Sequence, residues 1–462
     1  MLKKNISDSF VDVIINPQGD KVSNIQTKEK LDKKEILKNF QNACKTDTQL
    51  QIGIEYERLP IFNSTCKAAD YASDFGVCNL LRNFAREENW DYITDDYNII
   101  GLKQEHDTIT LEPGCQVELS IKPENDIFKL EEKINSLDRK LKPILNKSGI
   151  SLLNYGVSPL STHKSIGLLP KKRYKIMARY LWGILSDVMM RETAGVQACF
   201  DYASEDDAML KFKIANKLTP FMTAMFANSP IRGGVETGYK SFRALSWLNT
   251  DNDRCGFVGQ IDENFSFEEY IDYVLESPMI FINRENLPVE INGKISFDEF
   301  MERGWEGFEP TMEDFELHAN LYFPEVRLRN FIEVRNHDCV SQGLQYAILA
   351  IYKGILYNKS AISDIENLFK DFDYRDFSEL RYNVPKSALD CKIGKYEVKD
   401  IAKEILYIAE KSLIEMNTGE EKYLDKIKEL TLNGISPADI IIRNWNGIWN
   451  KDIKKLINYV KS

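Results

Sequence analysis

The chain has 462 residues, 43% of them hydrophobic and 28% charged, a composition typical of a globular protein with a large core. Sixty basic residues against 71 acidic ones give a net charge of −11, which argues against nucleic acid as the main partner, since phosphate binding needs a basic surface. The longest apolar run, Leu344–Tyr352, is too short to span a bilayer, and the first residues lack the apolar segment of a secretory signal, so we expect no membrane partner and a cytoplasmic protein.

The first quarter of the chain carries both helical and extended patterns. Residues 1–47 are polar and rich in lysine, which predicts an arm with one helix near Lys28–Cys44. The stretch "QLQIGIEYERLPI" (49–61) predicts a strand, and "ITLEPGCQVELSIKP" (109–123) predicts extended chain with a turn at Pro113 and Gly114. Between these two, a helix is predicted by apolar residues at helical spacing: Phe75, Leu80, Leu81 and Phe84.

An amphipathic helix over Glu124–Ser148 is the clearest periodic pattern of the chain. Its apolar residues recur every three or four positions: Ile127, Leu130, Ile134, Leu137, Leu141 and Ile144. Gly149 then predicts the end of the helix. Further along, the sequence predicts three more helices and two strands: helices over Lys171–Met190, Glu205–Asn228 and Phe267–Leu275, and strands over 150–159 and 330–338.

The order of these elements predicts the fold class. Strands and helices follow one another without a regular βαβ repeat, which favours an α+β fold with an antiparallel sheet. After about residue 342 only helical periodicity is visible. We therefore predict a catalytic sheet core over residues 48–342 and a helical region over 343–462, packed on the same domain and preceded by the polar arm.

Three predicted strands carry acidic residues on one face. Glu55 and Glu57 lie two apart in the first, Glu118 and Ser120 in the second, and Glu333 and Arg335 in the third. Side chains two apart on a strand share a face and lie roughly 6.5–7 Å from each other. Glu112 is an even number of residues before Glu118, so it joins that face if the Pro-Gly turn adds no odd bulge. Five carboxylates converge if these strands are neighbours in one sheet.

Such a cluster has two interpretations. An acidic pair on a single strand is typical of a solvated face. Carboxylates that converge cannot all stay ionised unless cations intervene, and Mg²⁺ is the hard ion that prefers oxygen ligands and arrives with phosphates. ATP with two or more Mg²⁺ ions would balance the charge, and Arg335 would then face the transferring phosphoryl group. The sequence contains neither a P-loop nor a G-x-G-x-x-G motif, so these acidic residues are the candidate nucleotide-binding site that the sequence shows.

Histidines and cysteines indicate no other chemistry. The four histidines are not spaced as metal ligands, and the eight cysteines contain no C-x-x-C pair, so we expect no zinc site and mostly buried, reduced thiols. A carboxylate-pair glycosidase stays open at this point, because two acids also suffice for that reaction.

Nine stretches in order resemble one family. They are "GIEYER", "LEPGCQVELS", "PKKRYKIMARYL", "MMRETAGVQACFDYASEDD", "MFANSPIRGGVETGYKSFRALSW", "TDNDRCGF", "SPMIF", "FPEVRLRNFIEVR" and "NVPKSAL". Together they resemble glutamate–cysteine ligase (γ-glutamylcysteine synthetase) of the plant and proteobacterial type, over roughly residues 48–450. The resemblance implies a fold similar to glutamine synthetase, with a curved antiparallel sheet that forms a funnel and helices packed outside.

The resemblance also implies a reaction. ATP phosphorylates the γ-carboxylate of L-glutamate, and the amine of L-cysteine then attacks the γ-glutamyl phosphate, which is the first step of glutathione biosynthesis. This route needs no protein nucleophile. Two alternatives stay open: a sister carboxylate–amine ligase that uses another amine, and a non-catalytic homologue that binds nucleotide or metal.

By resemblance, particular residues take particular roles. The metal ligands would be Glu55, Glu57, Glu112, Glu118 and Glu333, with Arg335 as the catalytic arginine that faces the phosphoryl group. The substrate would be bound by Arg243, Trp247, Arg191, Thr193 and Gln197, and Lys171 and Arg173 would assist with phosphates. A helix C-terminal cation is the other interpretation of Arg191, and a structural ion pair that of Arg243. Solvated basic side chains are the other interpretation of Lys171 and Arg173.

Two departures from the family pattern lie close to these residues. Cys115 stands in "GCQ", where a second glycine is usual, and "QACFDY" replaces a usual valine-asparagine-leucine-aspartate run. These substitutions surround substrate-facing segments, so the amine acceptor is the part of the prediction that the resemblance constrains least.

Overall fold

The structure is a computed structural model that describes residues 31–46, 49–259, 265–285, 287–341 and 343–462. Of the predicted polar arm over 1–47, residues 1–30 and 47 lie outside the described residues. The helix predicted near Lys28–Cys44 is observed as Lys33–Asn42, capped by the Asp32 carboxylate, which accepts a hydrogen bond from the backbone N–H of Glu35.

Seventeen strands are found in the described ranges, and nine of them form one sheet. In chain order the strands are β1 Ile52–Phe62, β2 Asp91–Asp95, β3 Asn98–Gln104, β4 Asp107–Leu111, β5 Val117–Glu124, β6 Ile150–Leu153, β7 Gly195–Phe200, β8 Ile231–Arg232, β9 Val235–Glu236, β10 Cys255–Gly256, β11 Phe281–Arg284, β12 Leu287–Glu290, β13 Phe323–Pro324, β14 Val326–Leu328, β15 Ile332–Asp338, β16 Lys392–Ile393 and β17 Tyr396–Glu397.

The large sheet is antiparallel throughout. Its strand order is β14-β15-β7-β1-β5-β4-β3-β2, and β6 pairs with the far end of β1. The sheet does not close into a barrel, since β14 and β2 are its two edges. The predicted α+β class with an antiparallel sheet is confirmed.

Helices cover the outer face of this sheet. The described residues form seventeen: α1 Lys33–Asn42, α2 Val77–Glu88, α3 Ile127–Ser148, α4 Lys172–Tyr180, α5 Ser186–Glu192, α6 Glu205–Met225, α7 Phe242–Leu248, α8 Phe267–Glu276, α9 Phe297–Arg303, α10 Met312–Ala319, α11 Leu344–Leu356, α12 Lys359–Leu368, α13 Tyr374–Ser387, α14 Val398–Glu415, α15 Asp425–Leu432, α16 Pro437–Asn446 and α17 Ile453–Val460. Within the described ranges, none of them is long and apolar enough to cross a membrane.

Helix α3 forms as its periodicity predicts. All six predicted apolar positions are buried, and burial of each Leu or Ile contributes about 1.5–3 kcal/mol. Asp126 caps the start, and Gly149 ends the helix with a left-handed φ of 66°. The helix begins three residues later than predicted, because residues up to Glu124 still belong to β5.

Three predicted elements differ from the structure. The helix predicted over Lys171–Met190 is split into α4 and α5, because Gly183 packs against the backbone of Thr250 and donates its N–H to the carbonyl oxygen of that residue. Phe75 lies before α2 and is 64% exposed, so it is not part of the buried face. The strand predicted over 150–159 ends at Leu153.

The outer helices pack on the strands at the centre of the sheet. Helix α3 packs on β5 and β6, α6 packs on β15, and α11 packs on β7 and β1. Every residue of α11 is buried, so the C-terminal helices begin inside the core. The division at residues 342 and 343 stays a prediction.

Candidate active site

The acidic face of the sheet is built around β1. Glu55 lies opposite Ser120 of β5 and Gln197 of β7, and Glu57 lies opposite Glu118 of β5. The residue between them, Tyr56, is fully buried under the helices, so the alternation of β1 turns both acids to the inner face. The strand thus brings Glu55, Glu57 and Glu118 together, as the spacing predicts.

Glu112 joins this face from the turn between β4 and β5. Its N–H donates to the carbonyl oxygen of Gln116, and Cys115 adopts a left-handed φ of 68° to complete the turn. Tyr174 of α4 donates its hydroxyl to Glu112 Oε1 over 3.3 Å. Gln116 fixes the turn by donating Nε2 to the carbonyl oxygens of Met190 and Thr193. The turn is therefore held against α5, with Glu112 directed into the cleft.

Glu333 reaches the same face from β15, but β7 lies between β15 and β1. Glu333 is opposite Cys199 of β7. One carboxylate oxygen of Glu55, one of Glu333 and the Sγ of Cys199 lie within 4.8 Å of one another. The three acidic segments are close together even though the third strand is not a direct neighbour of the first.

The acids differ in how their charge is balanced. Burial, with a contribution from Glu333, raises the pKa of Glu55 to about 7. Burial and Glu112 raise the pKa of Glu57 to about 7 against the lowering effect of Arg243. Burial and Glu55 raise the pKa of Glu118 well above its ordinary value. Burial would also raise the pKa of Glu333, but Arg327 and Arg335 outweigh it and lower that pKa to about 2.

Arginines form the other wall of a cleft of about 200 Å³ over these acids, which we call the acid cleft. Five line it: Arg173, Arg243, Arg327, Arg329 and Arg335. Arg335 donates Nη1 to Gln197 Oε1 and to Glu333 Oε1, while Gln197 donates Nε2 to Glu57 Oε1 over 3.1 Å. Gln197 thus connects the acidic wall to the arginine wall. Such a cleft suits a ligand that carries anionic groups together with cations.

Helix α7 supplies Arg243 and Trp247. The Ser241 side chain caps the helix by accepting from the N–H of Ala244. Arg243 is 2% exposed and donates Nη2 to the carbonyl oxygen of Arg335 over 3.0 Å. Its Nε and Nη1, and the Nε1 of Trp247, have no hydrogen-bond partner among the described residues. Buried donors without partners indicate a place for an acceptor such as a carboxylate.

The structure separates the predicted substrate residues into two groups. Thr193, Gln197, Arg243, Trp247 and Arg173 line the acid cleft. Arg191 and Lys171 are not among its lining residues.

Arg191 and Lys171 have other contacts. Arg191 donates Nη2 to Asp187, one turn earlier on α5, and Nη1 to the carbonyl oxygen of His163. Lys171 places its ammonium 4.9 Å from the centre of the Tyr174 ring. In this structure Arg191 therefore contacts residues outside the acid cleft, and its role in substrate binding stays a prediction.

Two arginines of the cleft were missed in the sequence. Arg327 is opposite Glu333 in the β14–β15 hairpin and donates Nε and Nη2 to it over 2.6 and 3.1 Å. Arg329 follows in the turn and also lines the cleft. The stretch "VRLRNFIEVR" carries the signal, since its two apolar runs around a short polar turn predict a hairpin that pairs these residues.

The comparisons with known proteins agree with this geometry. The sequence model described as "Glutamate-cysteine ligase family 2(GCS2)" matches residues 51–459. The chain is 32% identical over 431 residues to the chloroplastic glutamate–cysteine ligase of Nicotiana tabacum, covering 92% of this chain and 82% of that protein. It is 30% identical over 459 residues to the chloroplastic glutamate–cysteine ligase of Brassica juncea, covering 98% of this chain and 88% of the relative.

These relatives contradict one prediction from the sequence. The cytoplasmic location that we expected is contradicted, since these relatives are named as chloroplastic enzymes. All eight cysteines lie in the described ranges, and all are free thiols.

Two solved structures share the fold. A glutamate–cysteine ligase of Francisella tularensis, in complex with AMP, superposes with a TM-score of 0.56 at 15% identity and covers 89% of this chain and 88% of that one. A bifunctional glutathione synthetase of Pasteurella multocida gives a TM-score of 0.54 at 11% identity, covering 89% of this chain and 52% of that one. Both likenesses show that the curved, open sheet with outer helices is a fold found in other proteins.

The resemblance stated from the nine sequence motifs is confirmed over nearly the whole chain. The family model and the relatives identify an enzyme of the ligase class that acts on small molecules. The chain belongs to glutamate–cysteine ligase family 2, whose reaction joins the γ-carboxylate of glutamate to the amine of cysteine in the first step of glutathione biosynthesis.

Proposed function

We propose that the acid cleft binds ATP with two or more Mg²⁺ ions and that glutamate is activated there as a γ-glutamyl phosphate. The observation that carries this proposal is the imbalance of charge at the acids. Glu118 is buried and Glu55 and Glu57 are partly buried beside it, and burial together with neighbouring carboxylates raises their pKa values. The ionised forms of these acids therefore require added positive charge. Divalent cations would supply that charge.

The donor set fits Mg²⁺. Glu55, Glu57, Glu112 and Glu118 offer carboxylate oxygens, which are the hard ligands that Mg²⁺ prefers, and Glu333 offers the same from the arginine side. Bound Mg²⁺ would neutralise the triphosphate and make its γ-phosphorus more electrophilic. Cys199 adds a soft thiol donor close to Glu55 and Glu333.

Arg335 is the residue that we place against the transferring phosphoryl group. Its guanidinium is held by Gln197 and Glu333, so little reorganisation is needed when charge develops on the phosphoryl oxygens. The guanidinium also lies 5.9 Å from the centre of the Trp247 ring, which limits its movement on the other side. Arg173, Arg327 and Arg329 add positive charge along the same wall.

Glutamate would be bound through its α-carboxylate by Arg243 and Trp247, with Thr193 beside them on the cleft wall. In the first step a γ-carboxylate oxygen of glutamate bonds to the γ-phosphorus of ATP, and ADP leaves. In the second step the cysteine nitrogen bonds to the carbonyl carbon of the γ-glutamyl phosphate and loses a proton, and inorganic phosphate leaves as its bond to that carbon breaks. The AMP bound to the ligase of Francisella tularensis supports a nucleotide in a cleft of this fold.

Phosphate release from ATP tests the proposal. The full chain is incubated with ATP, Mg²⁺ and glutamate, with and without cysteine, and the mass of the product is recorded. We expect γ-glutamylcysteine, loss of turnover with EDTA, and recovery with added Mg²⁺. Glu57→Gln should abolish turnover, while Glu415→Gln, on the exposed side of α14, should leave it unchanged. Full turnover of Glu57→Gln at low Mg²⁺ would contradict the assignment.

Arg335→Ala separates chemistry from nucleotide binding. We expect kcat to fall by about a hundred- to a thousandfold, since the arginine acts on charge that develops during transfer. The dissociation constant of a non-hydrolysable ATP analogue should change far less. An equal loss in both quantities would assign Arg335 to ground-state binding instead.

A further inference from the structure

A second cavity lies directly behind the acid cleft, between α6, α7 and the end of β15. We call it the back cavity. The two share four lining residues: Arg243, Trp247, Phe323 and Arg335. The back cavity has room of about 30 Å³ for groups the size of a water molecule, enough for one or two small groups. The shared residues place the back cavity next to the acid cleft, and its volume matches a single small substituent of a substrate.

Asn336 lines this cavity and carries a hydrogen-bond acceptor that has no donor in the described part of the chain. Its Nδ2 donates to the carbonyl oxygen of Thr219 and to Thr223 Oγ1, both over 2.8 Å, so α6 fixes the orientation of the amide. The Oδ1 atom is buried and accepts no hydrogen bond from any described residue. Asn336 is 7% exposed and lines the back cavity. A fixed, buried acceptor without a donor costs about 1–3 kcal/mol unless a ligand satisfies it.

The charges around the cavity are arranged in two parts. Arg243 and Trp247 present donors without partners at the boundary with the cleft. Two residues with acceptor groups, Asn336 and Glu325, line the back cavity, and Glu325 is paired with Arg381. Donors and acceptors placed side by side in this way suit a zwitterion, with its carboxylate toward the arginine and its ammonium toward the acceptors.

We infer that the back cavity takes the α-ammonium group of the glutamate substrate and that Asn336 Oδ1 is its acceptor. The inference rests on the proposed binding of the α-carboxylate at Arg243. An ammonium is about the size of the water molecules that the cavity can hold, whereas a carboxylate is too large and stays at the boundary. Asn336 is then a specificity-determining residue, because its hydrogen bond to the ammonium group strengthens the binding of an amino acid relative to a dicarboxylic acid of the same length.

Discrimination between glutamate and glutarate tests the inference. Glutarate keeps both carboxylates of glutamate and lacks the α-amino group. The KM for glutamate and the inhibition constant of glutarate as a competitor are measured on the full chain at saturating ATP and cysteine. For Asn336→Leu, we expect the KM to rise about ten- to a hundredfold, with the inhibition constant of glutarate unchanged. A ratio of the two constants equal to that of the wild type would overturn the inference.

Two further variants keep the test decisive. Gln345→Leu is the matched control: Gln345 also has a buried amide oxygen without a partner, but it lies on α11 and lines neither cavity. Gln345→Leu should leave the KM for glutamate and the inhibition constant of glutarate unchanged. If Asn336→Leu does not fold, Asn336→Ser replaces it, and the same rise in KM is expected.

Arg243→Lys separates this inference from the proposed function. It should weaken glutamate and glutarate alike, because it removes the planar fork that both carboxylates would use. If Arg243→Lys affects neither ligand, the proposed placement of glutamate fails. If it affects both while Asn336→Leu affects neither, only the role of Asn336 fails.

Discussion

Arg243 donates a hydrogen bond from Nη2 to the backbone carbonyl oxygen of Arg335, 3.0 Å away, and so joins α7 to β15. The same Nη2 lies 2.5 Å from the position that a Cβ at Gly195 would occupy. Gly195 opens β7, and its own N–H donates to Glu57 Oε2 over 2.6 Å. The observed position of the Arg243 guanidinium therefore requires a residue without a side chain at position 195 of the neighbouring strand.

Gly195→Ala should displace Arg243 without removing it. We expect the KM for glutamate to rise about tenfold or more, since the fork loses its orientation, while the affinity for a nucleotide analogue changes little. Steady-state kinetics with glutamate as the varied substrate measures the effect. Gly167→Ala is the control, because a Cβ at Gly167 meets nothing within 4 Å. Equal KM values for the two variants would show that Arg243 has room to move.

Glu55→Gln should stabilise the ligand-free chain at neutral pH. Glu55 has a folded pKa of about 7 against an ordinary value of 4.5, so the unfolded chain releases this proton first and stability falls as the pH rises from 4.5 to 7. Without Mg²⁺ we expect the variant to exceed the wild type by up to about 3 kcal/mol at pH 8, and the two to be equal near pH 4.5. Urea unfolding at both pH values measures the difference.

The prediction compares Glu55→Gln with the wild type because two histidines change the free energy of unfolding with pH in the opposite direction. Burial lowers the pKa of His318 to about 4 and of His337 to about 3 from the ordinary 6.5, so their contribution raises stability as the pH rises toward 6.5. They are present in both proteins and cancel. Saturating Mg²⁺ should remove the advantage of Glu55→Gln; an advantage that persists in Mg²⁺ would show that the ion is not bound near Glu55.

Asp338→Asn should affect both stability and substrate binding. Asp338 accepts hydrogen bonds from Ser229 Oγ, Ser241 Oγ and the N–H of Asn228, each over 2.7 Å, and Ser241 caps the helix that carries Arg243. An amide at this position places a donor against one of these donors, at a cost of about 1.5–3 kcal/mol. Urea unfolding and the KM for glutamate should both change.

Asp390→Asn is the control for Asp338→Asn, because Asp390 pairs with Lys240 at an exposed position, where an ion pair contributes little. We expect unchanged kinetics and a stability within about 1 kcal/mol of the wild type. If Asp338→Asn lowers stability and leaves the KM for glutamate unchanged, the start of α7 does not set the position of Arg243.

Arg191→Ala should leave the kinetics nearly unchanged. Arg191 pairs with Asp187 one turn earlier on α5, and the Asp187 side chain is 49% exposed, so the pair contributes at most about 1 kcal/mol. KM values for glutamate, cysteine and ATP within about twofold of the wild type are expected. A large rise in one of them would return Arg191 to the substrate pocket, where the sequence placed it.

The acidic face could be predicted because a strand has a fixed period of two. Glu55 and Glu57 share a face wherever β1 is placed, and the same holds for Glu333 and Arg335 on β15. The position of β7 between these strands could not be predicted, because all six residues of "GVQACF" are buried and show no alternation of apolar and exposed positions. The sequence therefore places the acids correctly but omits the strand that separates them.

The hairpins β2–β3 and β3–β4 were missed for a different reason. Their two-residue turns begin with Asp96 and Glu105, which adopt left-handed φ values of 51° and 55°. Such turns are usually announced by glycine or asparagine, and neither stands at these positions. The contacts of Arg191 with Asp187 and His163 could not be predicted either, because the predicted helix over Lys171–Met190 ended before Arg191 and did not include the break at Gly183.

The acids of the cleft differ in whether arginines balance their charge, and this difference affects the stability of the ligand-free protein. Two arginines form ion pairs with Glu333 in the ligand-free protein. The carboxylates of Glu55, Glu57 and Glu118 are destabilised by burial and by neighbouring carboxylates as long as no ligand is bound. Ligands that relieve this destabilisation shift the unfolding equilibrium toward the native state. If the acid cleft binds nucleotide and magnesium as proposed, we expect a shortage of either to make the enzyme more susceptible to proteolysis as well as to slow its turnover.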